Sequence, residues 1–321
     1  MLAAYAASVN SKAPLSALRV GDMPAPEPQS DWVVVDVKAA ALNRHDLWSL
    51  SGVGLSAEQC PMILGCDAAG TDPDGNEVVV HAVIADPAAG GGDETLDPRR
   101  SLLSEKHPGT LAERVAVPRR NLVAKPSQLS FAEAACLPTA YLTAFRMLTV
   151  KGRLPADGAV LIQGAGGGVS TAAILLARAL GARVYATSRD AARRDRASKL
   201  GAIPAEPGER LPERVDVVVE SVGAPTIGHS LKCAKPGGRI VVCGTTAGHL
   251  AEVDLRRLFF LQLELLGSTM GTRDELAGLI DLCVRSGVRP IVDSTFRLAD
   301  ASDALARLDS GESFGKIVIE P

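Results

Sequence analysis

The sequence lacks closely spaced cysteines. Its six cysteines include no C-x-x-C pair, which excludes both a dense disulfide framework and a cysteine-rich structural zinc site. Scattered cysteines are typical of reduced thiols, so we expect a cytoplasmic protein. The six are Cys60, Cys66, Cys136, Cys233, Cys243 and Cys283.

The sequence also lacks an excess of one charge and a long apolar run. It has 34 Lys and Arg residues against 37 Asp and Glu residues, a net charge of −3. Nothing therefore favours nucleic acid or an anionic membrane as a partner. No stretch reaches the roughly 18 apolar residues of a membrane span, and no basic region precedes an apolar run at the N-terminus. We expect neither membrane insertion nor secretion.

The 321 residues, 46% of them hydrophobic, suffice for two domains and a sizeable core. In residues 1–125, apolar runs between Pro, Gly and Asp clusters predict strands and turns. Capping-box pairs at Ser130 and Glu133 and at Thr272 and Glu275 predict two helix starts, and Pro138 predicts a kink or break. Over residues 126–270, apolar strands alternate with helical segments, which predicts an α/β fold with a doubly wound parallel sheet. We expect residues 271–321 to return to the first domain.

The strongest local signal is the glycine-rich loop QGAGGGVS at residues 163–170. It follows a predicted strand and opens a predicted helix, the context in which such a loop binds the pyrophosphate of a dinucleotide. Backbone N–H groups and the positive end of the helix dipole favour phosphate there. Ser170 replaces the third glycine and is small enough to keep the helix close to the sheet. The expected cofactor contacts are Gly164, Gly166, Gly167, Gly168 and Val169.

The residues after the next predicted strand indicate which dinucleotide binds. An NAD site normally has Asp or Glu about 20 residues past the loop, where this chain has Ser188 followed by Arg189. A hydroxyl and a guanidinium suit a 2′-phosphate, so the sequence predicts NADPH. Arg193 and Arg194 either add to this positive field or form a solvated helix face. Asp190 lies one residue late for the ribose; in that role it would indicate NAD.

Several segments make the chain resemble the medium-chain dehydrogenase/reductase superfamily, specifically its zinc-free, quinone-oxidoreductase-like branch. Besides the glycine loop, they are AALNRHDLW (40–48), PMILGCDAAG (61–70), AACLPTAYLTAF (134–145), VVVESVG (217–223) and FGKIVIE (314–320). The resemblance implies a GroES-like catalytic β domain (1–125), an NADP-binding Rossmann domain (126–270) and a C-terminal return (271–321). It also implies a homodimer formed through the Rossmann domain.

The resemblance further implies that no metal is bound. The ligand positions of zinc-containing relatives fall on Asn43, on Cys66 and Asp67, and on Ala135. A catalytic zinc needs three protein ligands, and neither Asn nor Ala suits that role. Cys66 is then most simply a small buried residue.

Without a metal, hydrogen-bond donors must stabilise negative charge on the acceptor, and a proton source must follow. The resemblance indicates Asn43 as the donor, at the missing ligand position. It indicates His45 as the proton source, because relatives carry a relay Ser or Thr there and imidazole transfers protons near neutral pH. The alternative for His45 is a ring turned away and bonded to backbone. Asp46 either takes part in the chemistry or, more simply, holds nearby backbone.

Further cofactor contacts come from the family motifs. Thr143 would lie at the nicotinamide end, with a hydroxyl bonded to its own helix as the alternative. Loops that follow parallel strands line the ligand crevice, and Lys316 either reaches the cofactor or is solvent-exposed. The loop residues are Val222, Gly223, Gly244 and Thr245.

The leading hypothesis is an NADPH-dependent, zinc-independent oxidoreductase that transfers hydride to a quinone, an enone or a related conjugated carbonyl. This substrate class rests on the resemblance alone. The alternatives are a 2-enoyl thioester reductase, an alcohol dehydrogenase and a non-catalytic NADPH-binding module. The thioester reductases usually carry a tyrosine near residues 46–54, whereas this chain has none between Tyr5 and Tyr141.

Overall fold

Short strands joined by turns form the beginning of the chain in the computed structural model, which describes residues 1–321. Helix α1 (Arg44–Leu50) interrupts them, and α2 (Phe131–Ala135) follows them. The strands are β1 (Leu2–Ala6), β2 (Leu18–Asp22), β3 (Trp32–Ala41), β4 (Met62–Ile63), β5 (Asp67–Thr71), β6 (Glu77–Val80), β7 (Val83–Ile84), β8 (Ser101–Leu102), β9 (Arg114–Pro118) and β10 (Leu122–Ala124).

Strands and helices then alternate, as the apolar runs predict. The strands are β11 (Ala159–Ile162), β12 (Arg183–Thr187), β13 (Ile203–Ala205), β14 (Val215–Glu220), β15 (Ala234–Val242) and β16 (Glu264–Gly267). The helices are α3 (Leu142–Arg146), α4 (Gly168–Ala179), α5 (Ala191–Lys199), α6 (Ala224–Cys233) and α7 (Leu255–Phe260). The sheet is parallel, with the order β13-β12-β11-β14-β15-β16, which is the doubly wound order of dinucleotide-binding domains.

The end of the chain joins the first sheet. It contains α8 (Arg273–Ser286), β17 (Val292–Arg297), α9 (Ala301–Ser310) and β18 (Lys316–Glu320). Strand β18 pairs antiparallel with β3 and parallel with β17, giving the order β10-β6-β5-β3-β18-β17. The predicted return of the tail to the first domain is therefore confirmed.

The chain divides into two compact units. The first comprises Met1–Ala140 and Met270–Pro321, and the second comprises Tyr141–Thr269. The sequence predicts the first boundary at residue 125, but the structure keeps residues 126–140 in the first unit because α2 packs against β3 and β5. Together the units form an α/β protein with a GroES-like domain and a Rossmann-like domain.

Local capping chemistry sets the helix starts as predicted. Ser130 Oγ accepts a hydrogen bond from the Glu133 N–H at 3.2 Å, and the Glu133 carboxylate accepts from the Ser130 N–H at 2.8 Å. Thr272 and Glu275 repeat this arrangement at the start of α8. Pro138 lies in a π-helical turn, Leu137–Tyr141, that separates α2 from α3, so the predicted break is confirmed.

The cysteines are all free thiols, in agreement with their scattered spacing. None of the helices combines the length and the apolar character that a membrane span requires.

Candidate functional site

Helix α1 carries three of the predicted site residues at its start. Asp46 is completely buried, and its two carboxylate oxygens accept from the N–H of Asn43 at 2.8 Å and from the N–H of Gly65 at 3.0 Å. Burial raises the pKa of Asp46, while the hydrogen bond from Asn43 opposes that rise. Asp46 thus ties the start of α1 to the segment before β5, in agreement with the simpler of its two predicted roles.

Asn43, Asp67 and Lys316 form a buried group that we call the Lys316 cluster. The Lys316 ammonium donates to Asn43 Oδ1 at 2.6 Å, to Leu42 O at 2.7 Å and to Asp67 Oδ2 at 3.0 Å. Asn43 Nδ2 donates to Asp67 Oδ2 at 2.9 Å and to Ala41 O at 3.3 Å. No amide hydrogen of Asn43 is left unengaged, which favours a positioning role over donation to a substrate.

Sheet order explains why these distant residues meet. Strand β3 lies between β5 and β18, and Ala41 at its end pairs with Asp67 on one side and with Val318 on the other. Asp67 and Lys316 begin their strands, so their side chains reach the residues that follow β3. Lys316 is only 2% exposed, so the solvent-exposed alternative for this residue is wrong. Sequence reasoning missed its partners because they are 249 and 273 residues away.

His45, Cys66 and Glu105 form a second group, the His45 cluster. His45 Nε2 lies 3.1 Å from Glu105 Oε1, and Nδ1 lies 3.4 Å from Cys66 Sγ. The thiol donates to Leu103 O at 3.3 Å, and Glu105 Oε2 accepts from the Leu102 N–H at 2.9 Å. The ring is therefore held from both nitrogens by side chains, and the alternative of a ring turned onto backbone is not what the structure has.

The electrostatics favour a charged imidazole in this cluster. Burial opposes protonation of His45, but the Cys66 sulfur and the Glu105 and Asp46 carboxylates outweigh it and raise the His45 pKa well above its ordinary value. Burial also opposes ionisation of Glu105, yet the contact with His45 and the bond from Leu102 lower the Glu105 pKa. Burial raises the pKa of the Cys66 thiol. These directions favour a proton on His45 beside the Glu105 carboxylate.

Glu105 belongs to the candidate site, but sequence reasoning did not single it out. It lies in the turns between β8 and β9, 60 residues from His45, and no motif marks it. Only structural features mark Glu105. The neighbouring Ser104 has a left-handed φ of 70°, and Glu105 Oε1 lies 3.1 Å from the position that a Cβ on Gly54 would take.

The glycine loop of the second unit has the features of an anion site. Gly167 starts α4 without a side-chain cap, so the amides of the first helical turn are open to an anion. Gly166 has a φ of +128°, and a Cβ there would lie 3.0 Å from a guanidinium nitrogen of Arg193. Ser170 Oγ accepts from the Gly166 N–H at 3.1 Å and donates to Gly167 O at 3.0 Å. Serine therefore braces the loop in addition to fitting the space, and the loop suits a pyrophosphate.

The two helix arginines have different surroundings. Arg194 donates to Ser188 O at 2.7 Å and pairs with Glu206 at 2.9 Å, so it holds the backbone after β12. Arg193 instead lies against the glycine loop at Gly166. The sequence leaves both roles open, and the structure separates them.

A hydroxyl and a guanidinium, those of Ser188 and Arg189, directly follow β12, where the sequence predicts contact with the cofactor ribose. Ser188 is buried, and its Oγ accepts from the Asp190 N–H at 3.2 Å. Asp190 Oδ1 caps α5 by accepting from the N–H groups of Ala192 at 2.8 Å and Arg193 at 3.3 Å. Arg189 is exposed. Capping occupies Oδ1 of Asp190, which disfavours the ribose role considered for this residue.

Glu220 shapes the loop after β14. It is completely buried, and Oε1 accepts from the N–H groups of Val222 at 2.8 Å and Gly223 at 3.1 Å. Hydroxyl groups of Thr226 and Ser230 also donate to this carboxylate, at 2.9 Å and 2.7 Å. Gly223 has a φ of +95°, and a Cβ there would lie 2.4 Å from Gly248 O, so only glycine fits.

A chain of polar side chains continues from Ser230 to the glycine loop. Gln163 Nε2 donates to Ser230 Oγ at 3.0 Å, and Gln163 Oε1 accepts from Thr187 Oγ1 at 2.7 Å. The Gly164 N–H then donates to Thr187 Oγ1 at 3.2 Å. We call these side chains, with Glu220 and Thr226, the Glu220 network. It links the carboxyl ends of β12, β11 and β14, where a dinucleotide crevice is expected.

The remaining predicted contacts also belong to the second unit. Thr143 is buried on α3, and Thr245 is exposed after β15. A Cβ on Gly223 would lie 3.1 Å from Thr245 Cα, so the loops after β14 and β15 touch. Gly244 lies in the same contact, with Ser221 O 3.3 Å from its would-be Cβ.

Comparison with known proteins agrees with both units. Residues 29–127 match the family "Alcohol dehydrogenase GroES-like domain", and residues 168–285 match "Zinc-binding dehydrogenase". The chain is 30% identical to 2-methylene-furan-3-one reductase of Solanum lycopersicum, over 92% of this chain and 73% of that protein. A solved NAD-dependent alcohol dehydrogenase superposes with a TM-score of 0.91 and 32% identity over the full length of both chains. Crotonyl-CoA carboxylase/reductase AntE in complex with NADP gives a TM-score of 0.89 and 25% identity, over 99% of this chain and 94% of that chain.

Proposed function

Because the chain belongs to the medium-chain dehydrogenase/reductase superfamily of oxidoreductases, we propose that it uses NADPH, without zinc, to reduce a quinone, an enone or a related conjugated carbonyl. Bound NADPH supplies the hydride. The residues of the chain must bind the dinucleotide, supply a proton and balance the charge that develops on the acceptor.

The observation that carries the proposal is the position of the His45 ring between the Glu105 carboxylate and the Cys66 sulfur. Its Nδ1 lies 3.4 Å from a sulfur, and sulfur is a weak acceptor, so an oxygen of a substrate would compete well for the Nδ1 proton. After the proton leaves, the neutral ring still donates from Nε2 to Glu105. His45 therefore suits the role of general acid, and Glu105 and Asp46 suit positioning roles.

The second unit supports NADPH as the cofactor. The uncapped amides of α4 and the Arg193 guanidinium suit the pyrophosphate. Ser188 and Arg189 follow β12 where an NAD site would have a carboxylate, and Asp190 is used as a helix cap. A 2′-phosphate would meet the Arg189 guanidinium there, while Asp190 Oδ1 accepts hydrogen bonds from the start of α5.

A panel of acceptors tests the reaction. Purified protein with NADPH should oxidise the cofactor in the presence of simple quinones or enones, measured as the loss of nicotinamide absorbance. His45→Gln should lower kcat and leave NADPH affinity unchanged. Binding of NADPH without turnover of any acceptor would replace this proposal with the non-catalytic binding module.

Cofactor choice is tested at Arg189. A charged hydrogen bond contributes about 1.5–3 kcal/mol, so Arg189→Ala should weaken NADPH binding by roughly 10- to 100-fold and leave NADH binding unchanged. Arg210, another exposed arginine of the same unit, provides the matched control variant Arg210→Ala. Equal wild-type affinities for NADPH and NADH in a fluorescence titration would contradict the 2′-phosphate assignment.

A second candidate is the reduction of a 2-enoyl thioester. The similarity to crotonyl-CoA carboxylase/reductase AntE favours it. The same assay with crotonyl-CoA decides between the two, because a kcat/KM well above that of every free enone and quinone would make the thioester the preferred class.

Zinc independence rests on the residues at the ligand positions of zinc-containing relatives. The Lys316 ammonium already lies 2.6 Å from Asn43 Oδ1 and 3.0 Å from Asp67 Oδ2, so a metal ion there would meet a like charge. Ala135 offers no donor, and the Cys66 thiol is turned to Leu103 O. A zinc ion does not fit this set. Metal analysis should find far less than one zinc per chain, and stoichiometric zinc would overturn the assignment.

We also propose that the protein is cytoplasmic, in keeping with its free thiols, and that it forms a homodimer. The second unit would provide the dimer interface. Strand β16 is the last of its sheet and pairs only with β15, which leaves one edge open. Large apolar side chains of α7, the helix that precedes β16 in the chain, are exposed, among them Phe259 at 70% and Phe260 at 76%. A second copy related by a two-fold axis can cover both features at once.

Oligomeric state in solution tests the dimer. Light scattering after gel filtration should give twice the chain mass for the wild type and the chain mass for Phe260→Asp. Leu96→Asp, which alters an exposed leucine of the first unit, should remain dimeric. A monomeric wild type would contradict the proposal.

A further inference from the structure

In the Lys316 cluster, three oxygens surround the lysine ammonium as the ligands of a metal site surround its ion. An ammonium group has three hydrogens, and all three are directed at oxygens, from a backbone carbonyl, an amide and a carboxylate. The Lys316 side chain is 2% exposed and the Asp67 side chain is fully buried. Solvent therefore cannot replace either charge.

Asp67 depends on this one cation. Its Oδ2 receives both the Lys316 ammonium and the Asn43 amide, whereas its buried Oδ1 has no partner. A buried carboxylate that loses its cation keeps most of its desolvation penalty. Lys316 thus compensates the charge of Asp67 nearly alone.

The cluster is also connected to the His45 cluster through the backbone. Asn43 stands directly before α1, and its N–H donates to Asp46 on the first turn of that helix, the turn that carries His45. A displaced Asn43 side chain would therefore disturb the start of α1.

We propose that the Lys316 ammonium is the resident cation of this site: it takes the electrostatic place of a metal ion, orients Asn43 and so positions the start of α1. Lys316 is a positioning residue in this scheme and does not touch substrate. Removal of its side chain leaves three inward-facing oxygens with a net negative charge. Oxygen donors of this kind suit hard cations and ammonium ions rather than zinc, which prefers nitrogen and sulfur.

Chemical rescue in the full-length protein tests this proposal. Lys316→Ala removes three carbons and the nitrogen, and n-propylammonium has the same atoms. The variant should unfold at a temperature lower by on the order of 10 °C, the effect expected when a buried pair loses one partner. Added n-propylammonium should raise that temperature with saturation, and 1-propanol, which has nearly the same shape without the charge, should not.

Lys125 provides the matched control. Its ammonium pairs with Glu77 at 2.7 Å in the same unit, but the Glu77 side chain is 47% exposed, so water and salt can replace the pair. Lys125→Ala should respond equally little to n-propylammonium and 1-propanol. Rescue of Lys316→Ala by 1-propanol to the same extent as by the amine would refute the resident cation and indicate a packing role.

A second variant pair keeps the test decisive if Lys316→Ala does not fold. Lys316→Met retains most of the length of the side chain without its charge and should be strongly destabilised. Lys316→Met with Asp67→Asn, which removes both charges, should recover most of the lost stability. A Lys316→Met protein as stable as the wild type would overturn the proposal.

The link to α1 has its own readout and rests on the proposed function. In the acceptor assay, Lys316→Ala should lose on the order of tenfold in kcat at unchanged NADPH affinity, and n-propylammonium should restore it. Unfolding temperatures need no substrate, so they stand even if no acceptor is ever reduced. Thermal rescue without recovery of kcat would refute the positioning of α1 while leaving the resident cation intact.

Discussion

Replacement of Glu105 by glutamine tests the charge state of His45. The glutamine keeps the shape and a hydrogen-bond acceptor for the Leu102 N–H, but it removes the negative charge 3.1 Å from His45 Nε2. The two side chains are 14% and 23% exposed, so the pair lies between a surface ion pair and a buried one. We expect Glu105→Gln to lower the free energy of unfolding by about 1–2 kcal/mol, above the 0–1 kcal/mol typical of exposed pairs and below the 3–5 kcal/mol of buried ones.

The pH dependence of this loss has a definite sign. Folding raises the pKa of His45, so its contribution is complete below the unfolded value of about 6.5 and disappears as pH rises through the raised value. Folding lowers the pKa of Glu105, so its contribution is complete above the unfolded value of about 4.3 and disappears as pH falls through the lowered value. The stability difference between wild type and variant should therefore be largest between about pH 4.3 and 6.5 and should shrink toward alkaline pH.

Urea unfolding of both proteins across this pH range measures the difference. Glu77→Gln is the matched control, because it removes a carboxylate that pairs with a lysine instead of a histidine. In the acceptor assay, the alkaline limb of kcat should move to lower pH in Glu105→Gln, since His45 loses its proton more readily. A stability difference that stays constant or grows toward alkaline pH would refute the imidazolium assignment.

Two further changes test the second unit. Gly166→Ala places a methyl group 3.0 Å from the Arg193 guanidinium, in a backbone conformation with a φ of +128°. This variant should bind NADPH about tenfold more weakly in a fluorescence titration, and unchanged affinity would argue against phosphate binding at this loop. Glu220→Gln removes the charge from a carboxylate that accepts hydrogen bonds from the Val222 and Gly223 N–H groups. This variant should lower the free energy of unfolding, measured with urea, by about 2–3 kcal/mol. A loss below about 0.5 kcal/mol would contradict the role of Glu220 in holding the loop.

Local signals in the sequence predicted the fold well. The capping boxes placed two helix starts, and the apolar runs within residues 126–270 form the strands of a parallel sheet, because caps and apolar runs act over a few residues. The boundary of the first unit was harder to predict, because the packing of α2 on β3 and β5 leaves no local mark in the sequence.

The site was predictable only in part for the same reason. Asn43, His45 and Asp46 lie in one motif, so the resemblance located them together. Their partners Glu105 and Lys316 come from a turn and from the last strand, and only the sheet order brings them near. Likewise, only the pairing of the strands shows that both amide hydrogens of the Asn43 side chain are engaged within the Lys316 cluster.

The position of Lys316 on β18 affects when the first unit can be completed during synthesis. Domains generally fold as the chain emerges, beginning with the N-terminal part. Strand β3 leaves the ribosome early, yet the lysine that neutralises Asp67 follows Asn43 by 273 residues. Until β18 emerges, Ala40 and Ala41 at the end of β3 lack their partners in β18, and Asp67 lacks its cation. The whole second unit can fold in that interval, so the Lys316 cluster is completed only after the second unit has been synthesised.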